Sequence, residues 1–110
     1  MNPIELYKGK YICYSLGNFS FAGNTRPDDM DTYIFQQRFL VTPEGDVLDD
    51  GMRIIPCSIS SLDNRNDFTP TPFTDEADIA RVTQKLVELG QDADSPALPY
   101  VLDEYPLSLP

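Results

Sequence analysis

Chemistry in a protein needs groups that move protons, attack electrophiles or hold metals, and here they are sparse. The chain contains no histidine, which removes the commonest general base and the commonest transition-metal ligand together. Its serines have no base at motif spacing, and none stands in a G-x-S-x-G elbow. Lys8 and Lys10, two of the three lysines, fall in a short turn. Cys13 and Cys57 form no C-x-x-C and no zinc spacing. They read as two buried thiols, a bridge being open to them only if their strands are neighbours. The run Asp63-Asn64-Arg65-Asn66-Asp67 is rich in side-chain oxygens. It lacks the glycine and distal glutamate of an EF-hand loop, and Arg65 adds a repelling charge, so Asx-turns explain it better than calcium. Asp28, Asp29 and Asp31 read as solvated loop acids.

One stretch resists so plain an account. In KYICYSLGNFSFAG, Lys10 to Gly23, a strand stops at Gly17-Asn18 and an aromatic loop follows. A simple turn needs no aromatics, whereas a cleft wall uses them. Gly17 permits a sharp backbone turn, Asn18 offers an amide, and Phe19 with Phe21 can either wall a cleft or fill the core.

The elements that must position these groups follow from local pattern. The chain has 110 residues, enough for one small domain, and 41% of them are apolar. Ile4–Tyr7 and Tyr11–Leu16 form a hairpin about Lys8-Gly9-Lys10. Ile12, Tyr14 and Leu16 share one face of its second strand and Tyr11, Cys13 and Ser15 the other, which suits a strand covered on both sides. Residues 22–31 are loop. Thr32–Thr42 is the longest strand signal, with Tyr33, Phe35, Gln37, Phe39 and Val41 on one face. Pro43–Asp46 is a turn, Val47-Leu48 a short return, and Asp49-Asp50-Gly51 a second turn. Met52–Ser61 is a strand that Pro56 places at an edge or on a bulge. Leu62–Phe73 is loop, stiffened by Pro70 and Pro72. One helix follows, capped by Thr74 or Asp75, striped by Ile79, Val82, Leu86 and Leu89, and ended by Gly90.

Together these elements predict an α+β fold: an antiparallel sheet of about four strands by pattern count, with one C-terminal amphipathic helix against it. Residues 1–90 form this unit, and residues 91–110 an extended Pro-rich tail. Eighteen acidic against eight basic residues give a net charge of −10. Such a surface repels phosphate backbones and anionic lipid, which argues against nucleic-acid and membrane-surface partners. No apolar run is long enough for a membrane span. On residue chemistry alone the chain is a soluble module without a self-contained active site.

Two segments resemble a known family. PIELYKGKYICYSLGNFSF (Pro3–Phe21) is similar to the end of the catalytic domain in the bacterial poly-γ-glutamate capsule-biosynthesis proteins of the CapA/PgsA type. These are relatives of the calcineurin-like metallophosphoesterases. IPCSISSLDNRNDFTPTPF (Ile55–Phe73) resembles the strand, Asn/Asp loop and P-T-P that precede the last helix in that family. The resemblance implies the C-terminal portion of a longer, cell-envelope-associated or extracytoplasmic bacterial protein. Its divalent metal ions would be held by Asp, Asn and His residues earlier in the parent chain, the last cluster standing just before the position of Asn2. This chain would then carry no metal ligand and no catalytic residue. It would supply scaffold and one cleft wall through Gly17, Asn18 and Phe19, with the rest of the catalytic domain as its partner. Self-association through an unpaired sheet edge is the further expectation for such a portion. A different class also stands: an independent acidic interaction module using the edge strand or the apolar tail.

Overall fold

A short turn that only left-handed residues can make begins the fold. A computed structural model of the chain describes residues 1–20, 23–91 and 94. In it β1 (Ile4–Tyr7) and β2 (Lys10–Cys13) pair antiparallel, with Ile4 opposite Cys13 and Tyr7 opposite Lys10. Lys8 and Gly9 between them have φ of 50° and 73°, the left-handed pair that matches the twist of a two-residue hairpin. The second strand ends earlier than the sequence suggests. After Cys13 the ladder gives way to a single bond from the Asn2 amide to the Ser15 carbonyl at 3.0 Å. One face of the hairpin packs inward through Ile4, Leu6, Tyr11 and Cys13. On the other face Ile12 is half-buried, and Tyr14, just beyond the strand, is exposed.

The second sheet has the order β3-β4-β5: Asp31–Val41, Val47–Ser58 and Thr71–Pro72. The α+β class and the N-terminal hairpin are as expected, but the strands form two small antiparallel sheets rather than one of four. Asp49-Asp50-Gly51, expected as a turn, lies within β4. Gln37 pairs with Met52 and Phe39 with Asp49, so Asp50 and Gly51 together oppose Arg38. This is a β-bulge, with Gly51 at φ 104° supplying the left-handed residue. Cross-strand contacts hold it: Arg38 Nε meets the Asp50 carboxylate at 2.7 Å and the Asp50 carbonyl at 3.2 Å, and Gln37 Nε2 donates to Asp49 Oδ1 at 3.3 Å.

Pro56 is not at a sheet edge, because β4 is the central strand. Its carbonyl accepts from the Phe73 amide at 3.0 Å, away from its β3 partner Tyr33. In an antiparallel ladder a residue's N–H and C=O point to the same side. The missing donor therefore faces the side where β5 is only two residues long, and the β3 ladder loses nothing.

Helix α1 (Glu76–Gly90) starts at Asp75, whose side chain accepts from the Ala77 and Asp78 amides. Val82 and Leu86 are buried from its stripe, while Leu89 lies more than a third exposed. Gly90 remains helical, and the cap falls one residue later on a right-handed Gln91. The core joins Ile4, Tyr33, Met52, Ile54 and Leu86, with Phe35 and Val87 packed against it. Hairpin, second sheet and helix thus share one apolar centre. Beyond it the β3–β4 hairpin continues as an arm. Among the described residues no helix is long and apolar enough to cross a membrane. The expected Pro-rich tail lies outside the described residues, save Gln91 and Asp94.

Candidate functional site

The aromatic loop turns where Gly17 adopts φ 85°. A Cβ built there meets the Met1 side chain at 3.2 Å and the Asp31 carbonyl at 3.4 Å, so both conformation and space demand glycine. The Gly17 amide donates to Ser15 Oγ at 3.1 Å, and Thr32 Oγ1 donates to the Leu16 carbonyl at 2.6 Å. These bonds fix the chain leaving β2 against the start of β3. Gly17 itself sets the direction of the loop, and the two residues after it reach a cavity.

That cavity has a volume of about 280 Å³. Asn18, Phe19 and Ser20 line it from the first loop, and Ile59, Asn66, Phe68 and Pro70 from the loop between β4 and β5. Phe21, the other aromatic singled out from the sequence, lies outside the described residues. The sequence places Ile59 in a strand, Asn66 in a run of Asx-turns, and Phe68 and Pro70 in a stiffened loop, none of them with a role in a site. The available signal was a phenylalanine among Asn, Asp and Pro, where an apolar ring has no local reason to be.

The second loop is built by side chains that close its own backbone. The Asp67 carboxylate accepts from the Ser61 amide at 3.0 Å, the Thr69 amide at 3.1 Å and the hydroxyls of Ser60 and Ser61. The bonds from Ser61, with those of Ser60 and Thr69, hold its carboxyl well below the usual range. Asn66 is buried, its Oδ1 accepting from the Phe68 amide at 2.8 Å and its Nδ2 reaching the Asn24 carbonyl at 3.4 Å. The Asx-turns expected of this run are present. They leave Phe68 at φ 60°, rare for a bulky residue, with its side chain about half exposed.

Asp31, the first residue of β3, is a correction, while Asp28 is exposed as expected. Asp31 is buried rather than solvated, and Arg81 grips it with both terminal nitrogens while Lys85 approaches at 3.2 Å. Lys85 also bridges to Asp29 at 2.8 Å. Arg81 and Lys85 lie one helical turn apart, so both face the β3 entry. Burial raises the Asp31 pKa, but hydrogen bonds from Arg81 and Lys85 outweigh it and leave the carboxyl below its ordinary value. A groove of about 360 Å³ beside this cluster is lined by Ser58, Ser61, Asp75, Asp78 and Arg81 among others. Its cation is already engaged, with Arg81 also meeting Asp78 and lying 5.7 Å over the Phe73 ring.

Cys13 and Cys57 are free thiols, both pushed up in pKa by burial. The Tyr33 hydroxyl is buried beside Cys13, and burial raises its pKa strongly. Among the described residues no group of three or more acidic, cysteine or histidine side chains is arranged to hold a metal. Asp67 is taken up by its own loop, and Asp31 by two cations. Among the described residues the cavity lining carries no charge. What the arrangement offers is two aromatic rings, two amides and a hydroxyl around a small open space.

Comparison with known proteins finds no matching family model, no matching curated protein and no matching solved structure.

Proposed function

We propose that the chain is the C-terminal framework of a capsule-synthesis-type metallophosphatase relative, supplying one wall of its cleft and not catalytic by itself. One observation supports this best. The two segments that resemble the capsule-biosynthesis family, Pro3–Phe21 and Ile55–Phe73, converge in space on a single cavity through Asn18 and Phe19 on one side and Asn66 and Phe68 on the other. The described residues do not fit a dinuclear metal centre, since no group of acids is arranged for one and Asp67 and Asp31 are already held by hydroxyls, amides and cations. On this reading metal chemistry belongs to polypeptide outside this chain, and the chain itself positions and walls.

The test is the uninterrupted reading frame around these residues. The reading expects Asp, Asn and His clusters encoded upstream, and a frame without them sinks it. Metal-dependent phosphoester cleavage by the purified chain alone would sink it equally.

A second reading, an acidic interaction module, is favoured by the arm. Phe39, Leu40, Val41, Val47 and Leu48 are each about half exposed or more. Leu40 pairs with Leu48 and Val41 with Val47, so adjacent pairs lie on opposite faces and both faces are apolar. Among the described residues no strand pairs with the outer edge of β3. An apolar arm with an open edge is suited to adding a strand from a second copy or a partner.

A further inference from the structure

The geometry points to the cavity between Phe19 and Phe68 as a binding site for the ring of an uncharged sugar. The inference rests on the cleft-wall reading for what the sugar belongs to, but the site is formed by this chain's own residues.

Four properties narrow the ligand. Among the described residues the lining holds no acid and no base, and the chain's net charge is −10, so phosphate or carboxylate ligands find no cation there and meet an unfavourable field. A cationic ligand finds no carboxylate, because that of Asp67 is turned into its own loop. A wholly apolar ligand would strip water from Asn18, Ser20 and Asn66 without replacing its hydrogen bonds. The volume, about 280 Å³, is at the small end of ligand pockets and suits one ring system.

What remains is a small neutral molecule with an apolar face and a polar rim. A pyranose has both: its C–H face lies on a phenyl ring, and its hydroxyls donate and accept, as amides and serine do. Asn66 Nδ2 donates one hydrogen to the Asn24 carbonyl, and its second has no acceptor among the described residues. The Asn18 side chain has no hydrogen-bond partner among them either.

Phe68 carries the argument furthest. A left-handed position that closes an Asx-turn suits glycine or asparagine, and phenylalanine there costs about 1 kcal/mol or more. Its ring is not repaid by burial, since 46% of the residue is exposed. Phe68 lines the cavity together with Phe19, and its half-exposed ring is available to cover one face of a sugar.

The experiment is a titration of the isotope-labelled protein, followed by amide chemical shifts. The probes are methyl β-glucopyranoside and methyl N-acetyl-β-glucosaminide, with adenosine and inorganic phosphate as contrasts. The expected result is millimolar glycoside binding with shifts confined to Asn18, Phe19, Ile59, Asn66 and Phe68. Phe68→Gly suits its backbone better than the native residue, so it keeps the fold, and it should weaken binding about tenfold or more. Phe68→Tyr should restore it. Silence toward both glycosides, a stronger response to adenosine or phosphate, or glycoside binding undiminished in Phe68→Gly each overturns the proposal. A silent titration leaves the cleft-wall reading standing. An upstream frame without metal clusters sinks that reading and leaves glycoside shifts intact.

Discussion

Single side chains set where this molecule is sensitive. Gly17 stands where a Cβ meets both backbone and side chain, in a conformation L-residues avoid. Gly17→Ala should cost about 1–3 kcal/mol, read as a fall in thermal midpoint, and an unchanged midpoint would show that the loop relaxes freely. Asp31 predicts an acid limit. Its carboxyl is held below its unfolded value near 3.9, so its contribution is complete above that pH and fades as pH falls through the folded value. Denaturant unfolding at a series of pH values should show stability dropping below about pH 4, and Asp31→Asn should flatten that slope. Asp67, also depressed, adds in the same direction. The alkaline side has the opposite origin. Tyr33, Cys13 and Cys57 are raised by burial, so their stabilisation is present below their unfolded values. It is lost as pH rises past about 8.5 for the thiols and about 10 for the phenol.

Elements show which signals were local. The β1–β2 hairpin was legible because Lys8-Gly9 fixes its own turn, and α1 because Asp75 caps it and Val82 and Leu86 repeat at helical spacing. Asp75→Ala should remove the acceptor for two amides and cost about 1 kcal/mol, measurable as a few degrees in a melt. Full retention of stability would mean Thr74 takes over the cap. The β3–β4 hairpin was misjudged for a physical reason. Asp49-Asp50-Gly51 has the composition of a turn, and composition cannot tell a turn from a glycine bulge. The difference lies with the opposite strand, where Arg38 and Gln37 bind the two aspartates and keep β4 running. Pro56 was misjudged likewise, since the side its missing donor faces depends on which neighbour lies there.

At the scale of the whole molecule the exposed arm governs solution behaviour. Sedimentation velocity should show concentration-dependent self-association, and a paired Leu40→Lys and Val41→Lys change should return the protein to monomer. A native protein that stays monomeric at high concentration would count against both an open edge and the interaction reading. The α+β class, the hairpin, the capped helix and the scarcity of reactive groups were determined by sequence alone, because each rests on interactions among residues a few positions apart or on composition. The division into two sheets, the grip of Arg81 on Asp31 across 50 positions and the meeting of Asn18 and Phe19 with Asn66 and Phe68 were decided only by tertiary structure. Contacts at such separations exist only once the hairpin, second sheet and helix have packed around Ile4, Tyr33, Met52, Ile54 and Leu86. No local pattern encodes which distant loop that packing brings to hand.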